Sequence, residues 1–420
     1  MSEGVEAFRP EYGAAFNCIG SRCEDHCCGE WNIPLDKGTY ERYKLFPVAK
    51  LGGLVEAFVV RAGAGASEAF YAQINVSPTG ACPFFEADRL CGIQKEYGAE
   101  LLSATCSIYP RSLSRVEGRV EASLSLSCPE AVRNVLLGPG FLETTVSVED
   151  GASRKDNIFL PAIEAPGGEK KPFRQLVAVR ALLIAIVRDR SRALGERLLL
   201  LGELCRRMEA VGDEVRVSAV IDEFHAALES GRLEDVASQI EGNPRLRLEI
   251  VMRWTSELME DGAACGIRFA DVFWSFVEGI GTDGYGTGGD DVERFVTAEK
   301  NYARPWFDAH PHVLENYILN YVFQHLFPFG RTGSDQFRAR SMSGEWLLLA
   351  AQWMWVESLL IGVAGRAREA FNADDVVKVV QSFTRATEHF PEVLDRMLER
   401  VAGRRLDSVE GMAALLRRVG

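Results

Sequence analysis

The chain has 420 residues, 47% of them hydrophobic and 25% charged, a composition typical of a globular protein with a large core and two or more domains. The formal net charge of -13, with no concentrated run of Lys and Arg, argues against nucleic acid as a partner. The N-terminal sequence MSEGVEAFRPEYG contains no basic and no apolar signal region, so we expect a cytoplasmic protein with reduced cysteines.

Short elements and loops are predicted for residues 1–147. Asp36 is a suitable N-cap for a short helix that runs through Tyr40 and Tyr43. A β-hairpin is predicted around residues 116–128, because apolar and polar residues alternate there. One face carries Val120, Ala122, Leu124, Leu126 and Cys128, and the other carries Arg119, Glu121, Ser123, Ser125 and Ser127. This alternation directs Cys128 inward at the end of a strand.

A linker is predicted at residues 148–173, which are charged, interrupted by Pro and Gly, and without sustained periodicity. From residue 174 to residue 420 apolar residues recur at helical spacing, in 176–186, 194–210, 232–242 and 374–390 among others. The Gly-rich segment 278–291 is acidic and follows no buried strand, which favours a surface loop over a phosphate-binding loop. We therefore predict a mainly α protein, in which a cysteine-rich domain with short helices and a β-hairpin precedes a large helical bundle.

The segment at 346–365 has nearly the length of a membrane span. Gln352, Glu357 and Ser358 lie in its middle, and an ionised Glu near a bilayer centre costs about 2.5 to 3.5 kcal/mol on insertion scales. A buried bundle helix is the favoured interpretation, so we predict no transmembrane segment. Peripheral membrane contact through the Trp residues of this segment stays open as an alternative.

Eight of the ten cysteines lie in the first 128 residues and are the candidate metal ligands. They are Cys18, Cys23, Cys27, Cys28, Cys82, Cys91, Cys106 and Cys128. Zinc sites and iron-sulfur clusters each use about four thiolates, so eight thiols supply two sites, or one site and several buried spectators. Neither a paired CxxC zinc ribbon nor the Cys-x3-Cys-x2-Cys spacing of radical enzymes is present, so zinc and iron-sulfur both stay open. His26 is an alternative ligand, and Cys205 and Cys265 are expected to be buried thiols without a metal.

The chain resembles the bacterial flagellin lysine N-methylases in five segments: FNCIGSRCEDHCCGEWNIPLDKGTYERY, CPFFEADRLCGIQKEYG, TCSIYPRSL, SLSCPE and LENYILNYVFQHLFPFG. The first four segments also resemble a wider group of eight-cysteine domains described as zinc or iron chelators. The combination with the LENYILNY segment is more specific for the methylases. The resemblance spans residues 12–137 and returns at 313–330.

The resemblance implies a protein-lysine N-methyltransferase that uses S-adenosylmethionine, acts on lysine ε-amines of flagellin and holds a 4Fe-4S cluster on the cysteine motif. The eight N-terminal cysteines are the implied cluster ligands, with no ranking among them. The sequence contains no Rossmann-type GxGxxG, so the S-adenosylmethionine pocket must be built differently. The alternative is a non-enzymatic binding module, in which zinc staples the N-terminal domain and the helical domain docks a protein.

The LENYILNY segment carries the candidate catalytic residues. Asn316 and Asn320 lie one turn apart, as do Tyr317 and Tyr321, and with Glu315 they give an otherwise apolar helix a polar, aromatic face. We predict catalytic roles for Tyr317, Tyr321 and Glu315, and cofactor binding by Asn316 and Asn320. The alternative is a structural helix whose buried amides are satisfied by the bundle.

Overall fold

A computed structural model describes residues 5–10, 16–29, 31–63, 66–78, 80–116, 119–138, 144–149, 175–211, 214–233, 237–260, 266–281, 289–330, 340–388 and 391–418. The chain forms two compact units. The cysteine unit consists of Met1–Asn134 and Gly140–Leu160, and the helical unit of Val135–Pro139 and Pro161–Gly420. Most of the predicted linker falls outside the described residues, so the domain boundaries stay a prediction.

The cysteine unit combines short strands with short helices, as predicted. Its strands are β1 (Val5–Pro10), β2 (Ile33–Leu35), β3 (Val59–Arg61), β4 (Ala72–Ile74), β5 (Arg111–Val116), β6 (Arg119–Leu124) and β7 (Thr144–Glu149). Its helices are α1 (Lys37–Tyr43), α2 (Gly53–Phe58), α3 (Gly92–Tyr97), α4 (Ala104–Ile108) and α5 (Pro129–Leu136), of which the last two residues are counted with the helical unit. One sheet has the strand order β5-β6-β1-β7 and the other the order β2-β4-β3. All described strand pairs are antiparallel except β1 with β6.

Local signals in the cysteine unit are partly confirmed. Asp36 caps α1, since its carboxylate accepts a hydrogen bond from the Thr39 amide at 2.9 Å. The predicted hairpin is present as β5 and β6. The strand ends at Leu124, however, so Cys128 is buried just before α5 and not at the end of a strand.

Two serines on the polar face of the hairpin segment do not lie at the surface. Ser123 and Ser127 are buried. Their hydroxyls have protein partners that replace water: Ser123 Oγ donates to the Ser112 carbonyl at 3.4 Å, and Ser127 Oγ lies 3.1 Å from the Tyr109 hydroxyl. Alternation of polar and apolar residues did not reveal these partners.

The helical unit makes the protein mainly α, as predicted. Its helices are α6 (Leu176–Arg188), α7 (Leu194–Val211), α8 (Glu214–Glu229), α9 (Pro244–Glu260), α10 (Ile267–Ile280), α11 (Gly289–Ala298), α12 (Arg304–Ala309), α13 (His312–Gln324), α14 (Met342–Ala367), α15 (Ala373–Glu388), α16 (Pro391–Gly403) and α17 (Val409–Leu416). The helix predicted at 232–242 is wrong for the described part of that segment, in which residues 237–239 form a turn and the others are irregular. Residues 282–288 of the predicted Gly-rich loop lie outside the described residues.

Helix α14 lies at the centre of the helical unit and packs against α7, α10, α11 and α15. It is the one helix among the described residues that is long and apolar enough to cross a membrane, with a mean hydropathy of 1.6, yet that apolar window is completely buried. Its polar residues have protein partners: Glu357 accepts a hydrogen bond from Arg247 at 2.8 Å, and Ser358 one from the same guanidinium at 2.8 Å. These contacts fit the predicted bundle helix.

Candidate functional site

Four of the candidate ligands, Cys28, Cys82, Cys91 and Cys106, contact one hydrophobic core in the cysteine unit, and we call them the inner thiols. Cys82 is a buried member of this core, and the other three pack against it. The backbone amide of Cys82 donates to the Cys28 carbonyl at 2.9 Å, which joins two segments 54 residues apart in numbering. Cys91 precedes α3 and Cys106 lies on α4, so four separate segments each contribute one thiol.

The inner thiols influence one another electrostatically. Burial raises the pKa of Cys82 to about 11 and that of Cys106 to about 12, and in both cases neighbouring cysteines add to the rise. A hydrogen bond with Cys27, followed by burial, raises the pKa of Cys28, and burial raises the pKa of Cys91. The thiols are therefore protonated at neutral pH, and a metal has to displace these protons in order to bind.

The remaining candidates, Cys18, Cys23, Cys27 and Cys128, lie outside this core and are called the outer thiols. Cys18 and Cys27 are exposed, and Cys23 is half-buried with its thiol donating to the Asp25 carbonyl at 3.1 Å. Burial raises the pKa of Cys128 to about 12, with added contributions from Cys23 and Cys27. Cys27 thus raises the pKa of cysteines in both groups.

The donor chemistry of the inner thiols fits a thiolate-bound metal, since the described cysteines are all free of disulfides. In this structure, however, the described residues contain no group of three or more His, Cys, Asp or Glu side chains that could hold a metal ion. The eight-cysteine ligand set therefore stays a prediction. Cys205 is buried in the helical unit, as expected, and Cys265 lies outside the described residues.

The second candidate site is α13, which carries the LENYILNY segment. All its residues from Val313 to Gln324 are buried, and the helix packs against α6 and α14. Glu315 is 3% exposed and forms ion pairs with Arg190 and Arg197, each at 2.7 Å. Burial alone would raise the pKa of Glu315, but the two guanidinium groups hold it below its ordinary value of 4.5.

Asn316 ties α13 to residues 135–138, which belong to the helical unit. Its side-chain amide donates to the backbone carbonyls of Val135 at 3.0 Å, Leu136 at 3.4 Å and Gly138 at 3.0 Å. The last carbonyls of a helix have no partner within that helix, so the amide serves as a C-terminal cap. The burial of both Glu315 and Asn316 is accounted for by protein partners, and their predicted chemical roles stay untested predictions.

The polar face of α13 continues through Asn320 to the end of the helix. The Asn320 amide donates to Gln324 Oε1 at 3.2 Å, and the Gln324 amide donates to Glu388 Oε1 at 2.7 Å. The same Glu388 oxygen lies 4.0 Å from His325 Nε2. A chain of polar contacts therefore connects a buried asparagine to two side chains that are about one-fifth exposed, since the exposed fractions of His325 and Glu388 are 22% and 21%.

Tyr317 and Tyr321 lie on the same face of α13. Tyr317 is buried, and burial followed by the charge of Glu388 raises its pKa above the ordinary value. Burial likewise raises the pKa of Tyr321, and Glu345 adds to it. The ring of Tyr321 lies 4.2 Å from that of His325, centroid to centroid. Both phenols are therefore neutral hydroxyls at physiological pH.

Sequence reasoning missed Gln324, His325 and Glu388 as members of this site. Gln324 continues the four-residue spacing of Asn320, so helical periodicity could have indicated it. Glu388 is 64 residues further along the chain from its partner Gln324, and no local pattern points to it. The same holds for Arg190 and Arg197, which are 125 and 118 residues from Glu315.

The helical unit matches a protein-family model described as the FliB lysine N-methylase C-terminal domain over residues 180–415, more than half of the chain. This match includes α13 and the whole polar face. No solved structure matches the chain significantly.

Curated relatives match a shorter stretch. The flagellar biosynthetic protein FliU of Salmonella muenchen is 37% identical over 136 residues, which cover 32% of this chain and 79% of FliU. The lysine-N-methylases of Salmonella typhimurium strain LT2 and Salmonella choleraesuis strain SC-B67 are also 37% identical over 136 residues, which cover 32% of this chain and 33% of each relative. The matched stretch is thus about a third of the length of these two lysine-N-methylases.

Proposed function

Since the chain belongs to the FliB lysine N-methylase family, we propose that it is a protein-lysine N-methyltransferase that uses S-adenosylmethionine and acts on flagellin. The observation that carries this proposal is the family match over 180–415, which contains the buried polar face of α13. The names of the curated relatives, flagellar biosynthetic protein and lysine-N-methylase, support both the reaction and the flagellar substrate. We place the protein in the cytoplasm, where free cysteines stay reduced.

The proposed site is the face of α13 that carries Tyr317, Asn320 and Tyr321. Methyl transfer to a lysine requires an ε-amine without its proton, an aligned methyl donor and a dry pocket. Neutral, buried phenols can orient an amine by hydrogen bonds without binding it as a cation. S-adenosylmethionine, when bound, supplies the electrophilic methyl group.

We assign Glu315 and Asn316 to positioning. Glu315 fixes α13 through two arginines, and Asn316 fixes it to residues 135–138 of the helical unit. Both side chains are held by protein groups. Asn320 donates to Gln324, which donates to Glu388, and the charge of Glu388 acts on Tyr317. The proposed division is that Glu315 and Asn316 set the orientation of the helix and the tyrosines contact the substrate.

We further propose that the inner thiols, Cys28, Cys82, Cys91 and Cys106, hold the 4Fe-4S cluster. Four thiolates match the ligand number of such a cluster, and these four share one core. The cluster supplies a redox-active or structural centre when bound. The alternative is that the same thiols bind zinc. In that case the chain is a non-enzymatic binding module whose N-terminal domain is stabilised by the metal.

Methyl transfer is tested with anaerobically purified full-length protein, flagellin, a reductant and isotopically labelled S-adenosylmethionine, with the label mapped by mass spectrometry. We expect label on flagellin lysines. Tyr317→Phe and Asn320→Leu should lower the rate at least tenfold without changing metal content. Absence of label with cluster-loaded protein would overturn the proposal, and full activity in both variants would move the site away from α13.

The metal is tested by colour and by iron and zinc analysis of the purified protein. We expect brown, iron-loaded wild type, and loss of iron in Cys82→Ser and Cys106→Ser. Cys205→Ala is the matched control, because Cys205 is a buried thiol of the helical unit and should leave iron content unchanged. A colourless protein that contains zinc and no iron would show that the bound metal is zinc. Loss of iron in Cys18→Ser but not in Cys82→Ser would overturn the assignment to the inner thiols.

A further inference from the structure

A cavity of about 170 Å³ is lined by residues of α9 and of the C-terminal end of α16. Its apolar side is formed by Ile250, Trp254, Val401 and Leu406, all of which are buried. None of the lining residues lies on α13, so the cavity is separate from the proposed methyl-transfer site. An apolar cavity of about 150 Å³ in another protein holds one benzene molecule, so this cavity has room for a group the size of a single ring.

The rest of the lining consists of three arginines. The side chains of Arg253, Arg400 and Arg404 are 58%, 34% and 40% exposed, which places them on the solvent side of the cavity. No acidic side chain of the described residues belongs to the lining. This concentration of cations contrasts with the net charge of -13 for the whole chain.

Helical spacing brings these lining residues together. On α9, Arg253 and Trp254 lie three and four residues after Ile250, so the three side chains share one face. Arg400, near the end of α16, and Arg404, the residue that follows the helix, are likewise one turn apart.

The turn after α16 completes the apolar side of the cavity. The Leu406 amide donates to the Val401 carbonyl at 3.0 Å, and the Arg405 amide donates to the Ala402 carbonyl at 2.9 Å. Arg405 has a φ of +58°, in the left-handed region. Together these features form a Schellman motif, which turns the chain back at the end of the helix and places Leu406 beside Val401.

Two carboxylates outside the lining hold the arginines in place. Glu257 Oε1 lies 3.1 Å from Arg253 Nε and 2.7 Å from Arg400 Nη1, so it links α9 to α16. Glu249 Oε2 lies 3.8 Å from Arg404 Nη1. Each of these pairs uses one nitrogen of a guanidinium group that has five N–H donors, so the arginines have further donors for a ligand. Three guanidinium groups and two carboxylates leave an excess of one positive charge.

The end of α16 does not cancel this excess. The C-terminal end of a helix carries partial negative charge on its unpaired carbonyls, equivalent to about half an elementary charge. Here the carbonyls of Arg400, Val401 and Ala402 accept hydrogen bonds from the backbone amides of residues 404–406. The guanidinium groups carry full charges, so the cavity favours a single negative charge.

We infer that this cavity binds a small organic carboxylate with one compact apolar group, such as an aromatic ring. One carboxylate balances the excess positive charge, and its two oxygens match the fork of N–H donors of a guanidinium group. The apolar group packs against Trp254 and Leu406, where its removal from water adds to the affinity. This binding site does not depend on methyl transfer.

The ligand class is tested by ligand-observed NMR titrations of the full-length protein with three probes. Phenylacetate has both the charge and the ring, phenylacetamide has the ring without the charge, and acetate has the charge without the ring. We expect phenylacetate to bind at least tenfold more tightly than either of the others. Equal affinity for phenylacetate and phenylacetamide, or for phenylacetate and acetate, would overturn the inference.

The position of the site is tested with Arg404→Gln, which should weaken phenylacetate binding at least fivefold. This variant suits the test because the ion pair of Arg404 is long and partly exposed, so its loss should cost little stability. Arg404→Lys keeps the charge and should bind with intermediate affinity. Arg245→Gln is the matched control, since Arg245 is an exposed arginine of α9 outside the cavity and its replacement should change nothing.

Thermal unfolding of each variant reports whether it folds. Hydrogen exchange on wild type gives a second readout that needs no variant: phenylacetate should slow exchange at the amides of residues 401–406, and phenylacetamide at the same concentration should not. Wild-type affinity in a folded Arg404→Gln variant, or unchanged exchange at residues 401–406 with phenylacetate bound, would overturn the inference.

Discussion

Glu315 shows how a buried charge is retained in the helical unit. It is 3% exposed and pairs with Arg197, whose side chain is 8% exposed, and with Arg190, whose side chain is 54% exposed. Arg197 also donates to the Arg192 carbonyl at 3.0 Å and to the Val187 carbonyl. A buried ion pair gains little over an apolar pair of the same shape, but removal of one partner leaves a charge without compensation. The two arginines therefore differ in what their loss should do.

Glu315→Gln should lower the free energy of unfolding by about 3 to 5 kcal/mol, because the buried Arg197 charge loses its carboxylate. The measurement is urea unfolding of the helical unit at pH 7, followed by Trp fluorescence. Arg190→Gln is the control, and it should cost about 1 kcal/mol because this guanidinium is half exposed. Equal losses of unfolding free energy in the two variants would show that the pair of Glu315 with the buried Arg197 adds nothing to stability beyond the pair with Arg190.

Close helix contacts around α14 depend on glycine. A Cβ on Gly279 of α10 would stand 1.8 Å from the Gly362 carbonyl oxygen, and a Cβ on Gly362 would stand 2.2 Å from the Phe276 ring. The backbones of α10 and α14 thus meet where neither helix has a side chain. Backbone atoms cannot move aside as a flexible side chain does, so the contact requires glycine at 279.

Gly279→Ala should destabilise the helical unit by about 3 kcal/mol or more, because the added methyl group forces α10 and α14 apart. The measurement is the midpoint of urea unfolding. Gly403→Ala is the matched control: nothing lies within 4 Å of a Cβ there, and alanine in place of glycine should leave stability unchanged or raise it by up to about 1 kcal/mol. Wild-type stability in Gly279→Ala would show that the two helices are not held at this distance.

Sequence patterns predict the elements better than the contacts between them. The periodic apolar residues of 176–186 and 374–390 identify α6 and α15, because a repeating apolar face requires only local spacing. The pairing of Gln324 with Glu388 depends on how α13 packs near the end of α15, and no spacing within either helix encodes it. The inner thiols are similar: clustering predicts a common role for the cysteines, while their division into inner and outer groups depends on the core that they contact.

The two units differ in their reactive side chains: the cysteine unit contains eight of the ten cysteines, and the helical unit contains the buried ion pairs of Glu315 and Glu357. Six of the seven tryptophans belong to the helical unit, since Trp31 alone lies in Met1–Asn134 and none in Gly140–Leu160. Trp fluorescence therefore reports mainly on the helical unit. Reagents that act on exposed thiols reach Cys18 and Cys27 of the cysteine unit, and a fall in pH protonates the buried carboxylates of the helical unit.

Acid should unfold the helical unit through Glu315 and Glu357. Burial alone would raise the pKa of Glu357, but Arg247 and Arg418 outweigh it and hold this pKa, like that of Glu315, below 4.5. A carboxyl group with a lower pKa in the folded state binds fewer protons there than in the unfolded chain. Its stabilising contribution is therefore complete above about pH 4.5 and is lost as the pH falls through the folded-state pKa.

The measurement is the free energy of unfolding by urea at several pH values between 7 and 3, followed by Trp fluorescence and far-UV circular dichroism. We expect a plateau down to about pH 5 and a steep decline below pH 4.5, where the unfolded carboxyls bind protons first. Glu357→Gln should be less stable at pH 7, because the buried Arg247 then lacks its carboxylate partner, and its stability should depend less on pH below 4.5. If the variant declined as steeply as wild type in acid, the acid sensitivity would belong to other carboxylates, because the ion pair of Glu357 with Arg247 is absent from the variant at every pH.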